Sequence, residues 1–154
     1  ALFRGMVGGL LEHPDGPCPS QILLVVGAPY TNDLLYDDLF TSLHEQHDNF
    51  HYHTAISRER RLDGRPGLYV DAYIAERMDD LFGDFLSNPR SLIYVCGLAG
   101  MQVGLFKNLA KAGFAEPFMN VKNEELANMD PADWPRDDVK RYVRPTKRCM
   151  LEVY

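Results

Sequence analysis

The stretch that decides the fold is SLIYVCGLAGMQVGLF, Ser91–Phe106. Ser91–Val95 has the length and composition of a buried strand. A cysteine and a glycine-spaced turn follow. From Leu98 an apolar helical pattern runs to Ala112, and Gly113 is a natural helix end. A strand, a tight turn and a helix in that order make one unit of a parallel α/β sheet.

The same unit recurs upstream. ILLVV (Ile22–Val26) is a continuous aliphatic run that predicts a strand covered on both faces. After the loop GAPYTND, Leu35, Leu39 and Leu43, with Phe40 beside them, mark one face of a helix from about Asp33 to His47, with Asn32 or Asp33 as its N-cap. FHYHTAIS (Phe50–Ser57) is the next strand. Beyond the charged loop RERRLDGRPG, Val70, Tyr73, Ile74, Met78, Leu81, Phe82 and Phe85 keep a 3.6-residue period, which predicts one helix over Tyr69–Leu86. Leu2–Leu11 reads as a short helix and CMLEVY (Cys149–Tyr154) as a short strand. Residues 114–148 carry Pro117, Pro131, Pro135 and Pro145 and predict an irregular insertion, with short helices around Asn123–Met129 and Asp137–Tyr142. The fold class is α/β with an open parallel sheet, and residues 1–154 are expected to form one domain.

Hydrophobic residues make up 45% and charged residues 25%, an ordinary globular profile without an apolar run long enough to span a membrane. A net charge of −6 argues against nucleic acid as a partner. The three cysteines, Cys18, Cys96 and Cys149, form neither a disulfide framework nor a metal-ligand spacing, which fits a reducing compartment, the cytoplasm or a plastid. His44, His47, His51 and His53 cluster in sequence, but no carboxylate or cysteine completes a ligand set, so no metal is assigned.

Open parallel sheets take ligands beyond the C-terminal ends of their strands. Three loops lie there. In the first, Gly27 allows close approach to the backbone and Pro29 stiffens the turn. In the second, Ser57 and Arg58 leave the strand together. A hydroxyl beside a guanidinium suits a terminal phosphate, and Arg in this position selects the 2′-phosphate of NADP where an acid selects NAD. Glu59 is adjacent, and the whole loop also reads as a solvated charged segment. In the third, Cys96 sits at a strand end followed by Gly97, Leu98 and Gly100. Two readings stand: an inert buried cysteine, or a thiol polarised by the N-terminus of the following helix. The segment from Arg136 to Arg148 is strongly basic and is either a solvated surface or a docking patch for an acidic partner.

With these loops in order, the sequence resembles the NADP-binding half of a plant-type ferredoxin–NADP⁺ reductase. The motifs VGAP…LLY, AISRE, LYV, YVCGLAGM and the final EVY carry the likeness over nearly the whole chain. Residues 114–148 are its longer, proline-rich exception. The resemblance implies a Rossmann-like NADP-binding domain that begins after the first, central strand and its glycine-rich phosphate loop, as a fragment of a two-domain flavoprotein. It assigns Ser57 and Arg58 to the 2′-phosphate and Tyr69 to the adenosine. Gly27 and Pro29 line the cofactor groove, and Gly97 and Leu98 support the pyrophosphate and nicotinamide. Asp71 stands where the family has an amide beside the adenine. Cys96 and Glu152 flank the nicotinamide, and Tyr154 stacks on the flavin and must move aside, as a gate.

The implied function is a reductase that transfers hydride between NADP(H) and FAD, the FAD being held mainly by a domain outside these residues. Electrons pass to ferredoxin or a flavodoxin-like acidic carrier, docked through Lys140, Arg141, Arg144, Lys147 and Arg148. The isolated 154 residues are then expected to be inactive with added FAD. The alternatives are the reductase component of an oxygenase and a non-catalytic NADP-binding module.

Overall fold

The computed structural model describes residues 2–154. The chain divides into two compact units, one ending at Val70 and the other beginning at Asp71. The first holds α1 (Leu2–Leu11), β1 (Ile22–Ala28), α2 (Asp37–Gln46) and β2 (Phe50–Ile56). β1 and β2 pair in parallel, from Ile22 opposite Phe50 to Ala28 opposite Ile56. Side chains alternate along a strand, so Ile22, Leu24 and Val26 share a face with Phe50 and Tyr52. Val7 and Leu11 of α1 and Phe40 and Leu43 of α2 close over that face and complete a core.

Two expectations change in this unit. β1 is covered only in part: Leu24 is buried, while Ile22, Leu23, Val25 and Val26 are half-buried. The helix also does not start at Asp33. Thr31–Asp33 forms a separate 3₁₀ turn, and Tyr36, with φ 61°, turns the chain before α2 begins at Asp37 without a side-chain cap. Leu35 and Leu39 are therefore exposed, and only Phe40 and Leu43 reach the core. Tyr36 is held in this left-handed conformation by an edge contact to Phe40 and by the Arg4 guanidinium 5.0 Å from its ring centre.

The predicted helix over Tyr69–Leu86 is three pieces: α3 (Val70–Glu76), a π turn (Met78–Phe82) and α4 (Gly83–Ser87). The Gly83 N–H donates to the Met78 carbonyl, and a Cβ at Gly83 would lie 2.8 Å from that oxygen, so glycine lets the wider turn close. The second unit continues with β3 (Ile93–Gly97) and α5 (Ala99–Lys111). α5 ends as the glycine predicts. Gly113 takes φ +87°, its N–H donates to Ala110, and the Phe114 N–H donates to Leu109, the paired bonds of a Schellman motif.

Residues 114–148 are ordered rather than irregular. They form α6 (Ala115–Phe118), β4 (Met119–Val121), α7 (Glu124–Asn128), a 3₁₀ turn (Pro131–Asp133), α8 (Arg136–Tyr142) and β5 (Val143–Pro145), with β4 and β5 antiparallel. Phe118, Met119, Leu126, Trp134, Val139 and Val143 are buried, and the Trp134 indole N–H donates to the Leu126 carbonyl at 2.9 Å. Pro117 lies within α6, and the other three prolines bound elements. Pro131 opens the 3₁₀ turn, Pro135 is the N-cap of α8, and Pro145 ends β5. β6 (Cys149–Val153) then pairs in parallel with β3. The two longer strand pairs, β1–β2 and β3–β6, are thus both parallel, as in a Rossmann-like α/β fold. Among the described residues no helix is long and apolar enough to cross a membrane, and no group of His, Cys, Asp or Glu could hold a metal.

Candidate functional site

In the first unit the C-terminal ends of β1 and β2 sit at one level, and hydrogen bonds tie their loops together. The Ser57 N–H donates to the Ala28 carbonyl at 3.0 Å and the Arg58 N–H to the Pro29 carbonyl at 2.9 Å. Thr31 then donates twice to the Glu59 carboxylate, from its N–H and its hydroxyl, each at 2.7 Å. These two bonds hold the Glu59 carboxyl below its ordinary titration range.

A third segment folds onto the same place. The Leu68 N–H donates to the Ile56 carbonyl. A Cβ on Gly67 would lie 2.2 Å from the Ile56 carbonyl oxygen and 2.6 Å from that of Glu59, so only glycine fits. Tyr69 follows directly and leaves its ring 69% exposed. The Tyr69 backbone is thereby brought next to the end of β2, where Ser57 and Arg58 leave the strand.

The loop's arginines divide. Arg60 donates to the Gly64 carbonyl, Arg61 to the Pro66 carbonyl, and Arg65 to Asp63 at 2.6 Å. These three hold the 60–66 loop closed. The exposed Arg58 guanidinium and the Ser57 hydroxyl have no such partner among the described residues. A guanidinium and a hydroxyl on consecutive residues at a strand end have the chemistry to receive a phosphate group.

In the second unit the β3–β6 register sets Cys96 opposite Glu152 and Gly97 opposite Val153. Paired residues of neighbouring strands point to the same face about 5 Å apart, so the thiol and the carboxylate are side by side. Cys96 is half-buried and Glu152 exposed. The inert cysteine is Cys149, whose thiol is pushed up to about 11 by burial. Backbone bonds extend the ladder past β6. The Tyr154 N–H donates to the Gly97 carbonyl at 3.0 Å, and the Tyr154 carbonyl accepts from Ala99 at 3.1 Å. The Tyr154 main chain is anchored while the residue is 80% exposed, and the adjacent Leu98 is 66% exposed.

A Cβ at Gly27 would lie 2.5 Å from Val70, and a Cβ at Gly97 or Gly100 would lie 3.0 Å from the end of the Met101 or Arg136 side chain. Gly97 also has φ +148°, a conformation that disfavours any side chain. Asp71 turns its carboxylate onto α5, where a Cβ at Gly104 would lie 2.0 Å from Oδ2, and the Asp71 carbonyl accepts from Asn108.

Arg148 is committed as well. It donates to the Ser91 carbonyl at 2.9 Å and the Asn88 carbonyl at 3.0 Å, and lies over the Phe118 ring. Its guanidinium is thus engaged within the protein, and Arg144 is engaged with the Lys140 carbonyl at the end of α8. Sequence reasoning did not assign roles to Thr31 or Gly67, and it gave Arg148 only a place in the docking patch. Only Gly67 had a local signal, the Pro-Gly pair before Leu68.

Residues 1–105 match the model of the oxidoreductase NAD-binding domain. The chain is 31% identical, over its full length, to a ferredoxin–NADP reductase of Thermosynechococcus vestitus, covering 36% of that protein. It is 27% identical over 93% of its length to the chloroplastic leaf isozyme 1 of ferredoxin–NADP reductase from Arabidopsis thaliana, covering 35% of it. Over 59% of its length it is 37% identical to a ferredoxin–NADP reductase of a Picosynechococcus strain, covering 23% of that protein. The chain spans about a third or less of the length of these relatives. It belongs to the oxidoreductase NAD-binding domain family, with the NADP-binding domains of ferredoxin–NADP reductases as its relatives.

Proposed function

We propose that this chain is the NADP-binding part of a flavoprotein reductase that transfers hydride between NADP(H) and FAD and exchanges electrons with ferredoxin or a flavodoxin-like acidic carrier. The observation that carries the reading is the division of the arginine loop. Three guanidiniums are bound to their own loop, and Arg58, next to Ser57, is left for an external anion. Ser57 and Arg58 take the 2′-phosphate and the exposed Tyr69 ring takes the adenosine. Gly27 and Pro29 line the groove as backbone.

Cys96, Glu152, Gly97 and Leu98 belong to the nicotinamide end, and Tyr154 to the flavin face. FAD, when bound, supplies the conversion between two-electron and one-electron transfer. This chain's residues position the nicotinamide and control access to it. An anchored main chain with an exposed ring suits Tyr154 to a gate that swings on its side-chain torsions. The pairing of Cys96 with Glu152 counts against a binding-only module, which needs neither. The carrier docks on Lys140, Arg141 and Lys147, with Arg144 at the margin, in a reducing compartment.

The test is Arg58→Ala in the intact polypeptide, with NADPH and NADH compared. A charge-assisted hydrogen bond is worth about 1.5–3 kcal/mol, so kcat/KM for NADPH should fall about tenfold to a hundredfold. NADH should stay within about twofold. Equal losses with both coenzymes would overturn the assignment.

A further inference from the structure

We propose that Thr31 and Glu59 are coenzyme-specificity residues: Thr31 holds the Glu59 carboxylate away from the 2′-phosphate receptor, so that the loop can carry an acid and still prefer NADP. The inference rests on the assignment of Ser57 and Arg58 to that phosphate. Glu59 follows Arg58 directly. An acid in this part of a dinucleotide fold accepts from the ribose 2′-hydroxyl and repels a 2′-phosphate. Here both carboxylate oxygens are occupied, Oε1 by the Thr31 N–H and Oε2 by the Thr31 hydroxyl, each at 2.7 Å. The two Thr31 hydrogen bonds are what lower the Glu59 carboxyl. Its position therefore depends on one residue, 28 positions away on the facing loop.

The backbone allows a clean release. Thr31 opens a 3₁₀ turn, and Tyr30 before it is extended, with φ −131° and ψ 153°. Those are conditions that proline and its preceding residue accept. Thr31→Pro removes both donors together without requiring a new backbone conformation, and Thr31→Val removes only the hydroxyl. A freed carboxylate about 6 Å from a phosphate bearing about 1.5 to 2 charges, in a water-like medium, weakens binding about fivefold to tenfold.

The experiment measures the affinities of the intact polypeptide for 2′,5′-ADP and for 5′-ADP by calorimetry. Thr31→Pro should weaken 2′,5′-ADP about fivefold to tenfold and leave 5′-ADP unchanged, with Thr31→Val between it and the parent. The loss should shrink as salt is raised. Adding Glu59→Gln to Thr31→Pro removes the charge and should restore 2′,5′-ADP binding to within about twofold of the parent. Failure of that rescue, or equal losses for both ligands, would mean that the contact only braces the loop. Arg58→Ala separates the underlying reading. If it binds 2′,5′-ADP as the parent does, the phosphate site itself is wrong, whatever Thr31→Pro does.

Discussion

Gly67→Ala tests how the first loop cluster is built. The added methyl would sit 2.2 Å from the Ile56 carbonyl oxygen, 2.6 Å from the Glu59 carbonyl oxygen and 2.9 Å from the Ser57 carbonyl carbon. Ordinary contact needs about 3.4 Å or more, so the chain must separate by about 1 Å. All three atoms are backbone, and no rotamer change relieves the clash. The Ile56 carbonyl also accepts the Leu68 N–H at 3.1 Å, a bond the separation would stretch. Overpacking of this kind costs about 1–3 kcal/mol, and rigid neighbours put Gly67 at the top of that range. For a unit of this size about 3 kcal/mol lowers the melting temperature by about 12–24 °C. The assay is thermal unfolding followed by circular dichroism, with Gly5→Ala as the matched control. Gly5 lies in α1 with nothing near its missing Cβ, so alanine there should stabilise by about 0.5–1 kcal/mol. A Gly67→Ala protein within about 0.5 kcal/mol of the parent would refute the packing argument.

Arg148→Met should lower stability by about 2–3 kcal/mol, through loss of two carbonyl contacts and the stacking on Phe118, and leave the salt dependence of electron-carrier exchange unchanged; a weakened salt dependence would return Arg148 to the docking set. Glu59 supplies a pH prediction. Because its carboxyl is depressed below 4.5 in the fold, the contribution of its Thr31 contact is complete above the ordinary carboxylate range and disappears as pH falls through the lower folded value. An NMR titration following the Thr31 amide should therefore inflect below 4.5, and an inflection at or above that value would contradict the bonding.

Much of the fold was legible because strands and glycines leave local signals. ILLVV, FHYHTAIS, SLIYV and CMLEVY each became a strand, and Gly113 ended α5 as a left-handed glycine does. The failures share a physical cause. α2 starts late because Tyr36 turns the chain through the left-handed region just before Asp37, and a leucine period does not encode such a turn. The insertion looked irregular because four prolines were read as breakers. Proline at the first position of a turn or at a helix boundary punctuates structure without preventing it. For the site, residue types were readable and commitments were not. Arg58 stood out by its place beside Ser57 at the strand end, but nothing local showed that Arg60, Arg61 and Arg65 would bond within their loop, or that Arg148 and not Lys147 would bond to Ser91 and Asn88. The difference lies in which carbonyls the fold brings within reach.

The two clusters are positioned by different means, and this bears on how each tolerates change. Ser57 and Arg58 depend on loop-to-loop contacts, namely the Thr31–Glu59 clamp and the fit of Gly67, and substitution of a single loop residue can move them. Cys96 and Glu152 depend on strand register. Along β6, Cys149, Leu151 and Val153 occupy one face and Met150 and Glu152 the other, while Val95 on β3 and Cys149 are buried. A slip of one residue would turn the buried Cys149 outward and carry Glu152 to the opposite face, away from Cys96. Burial therefore specifies the register, and the register places the carboxylate. Cys149, a thiol kept neutral by burial at any physiological pH, thus has a structural part: its place in the core keeps Glu152 in register with Cys96.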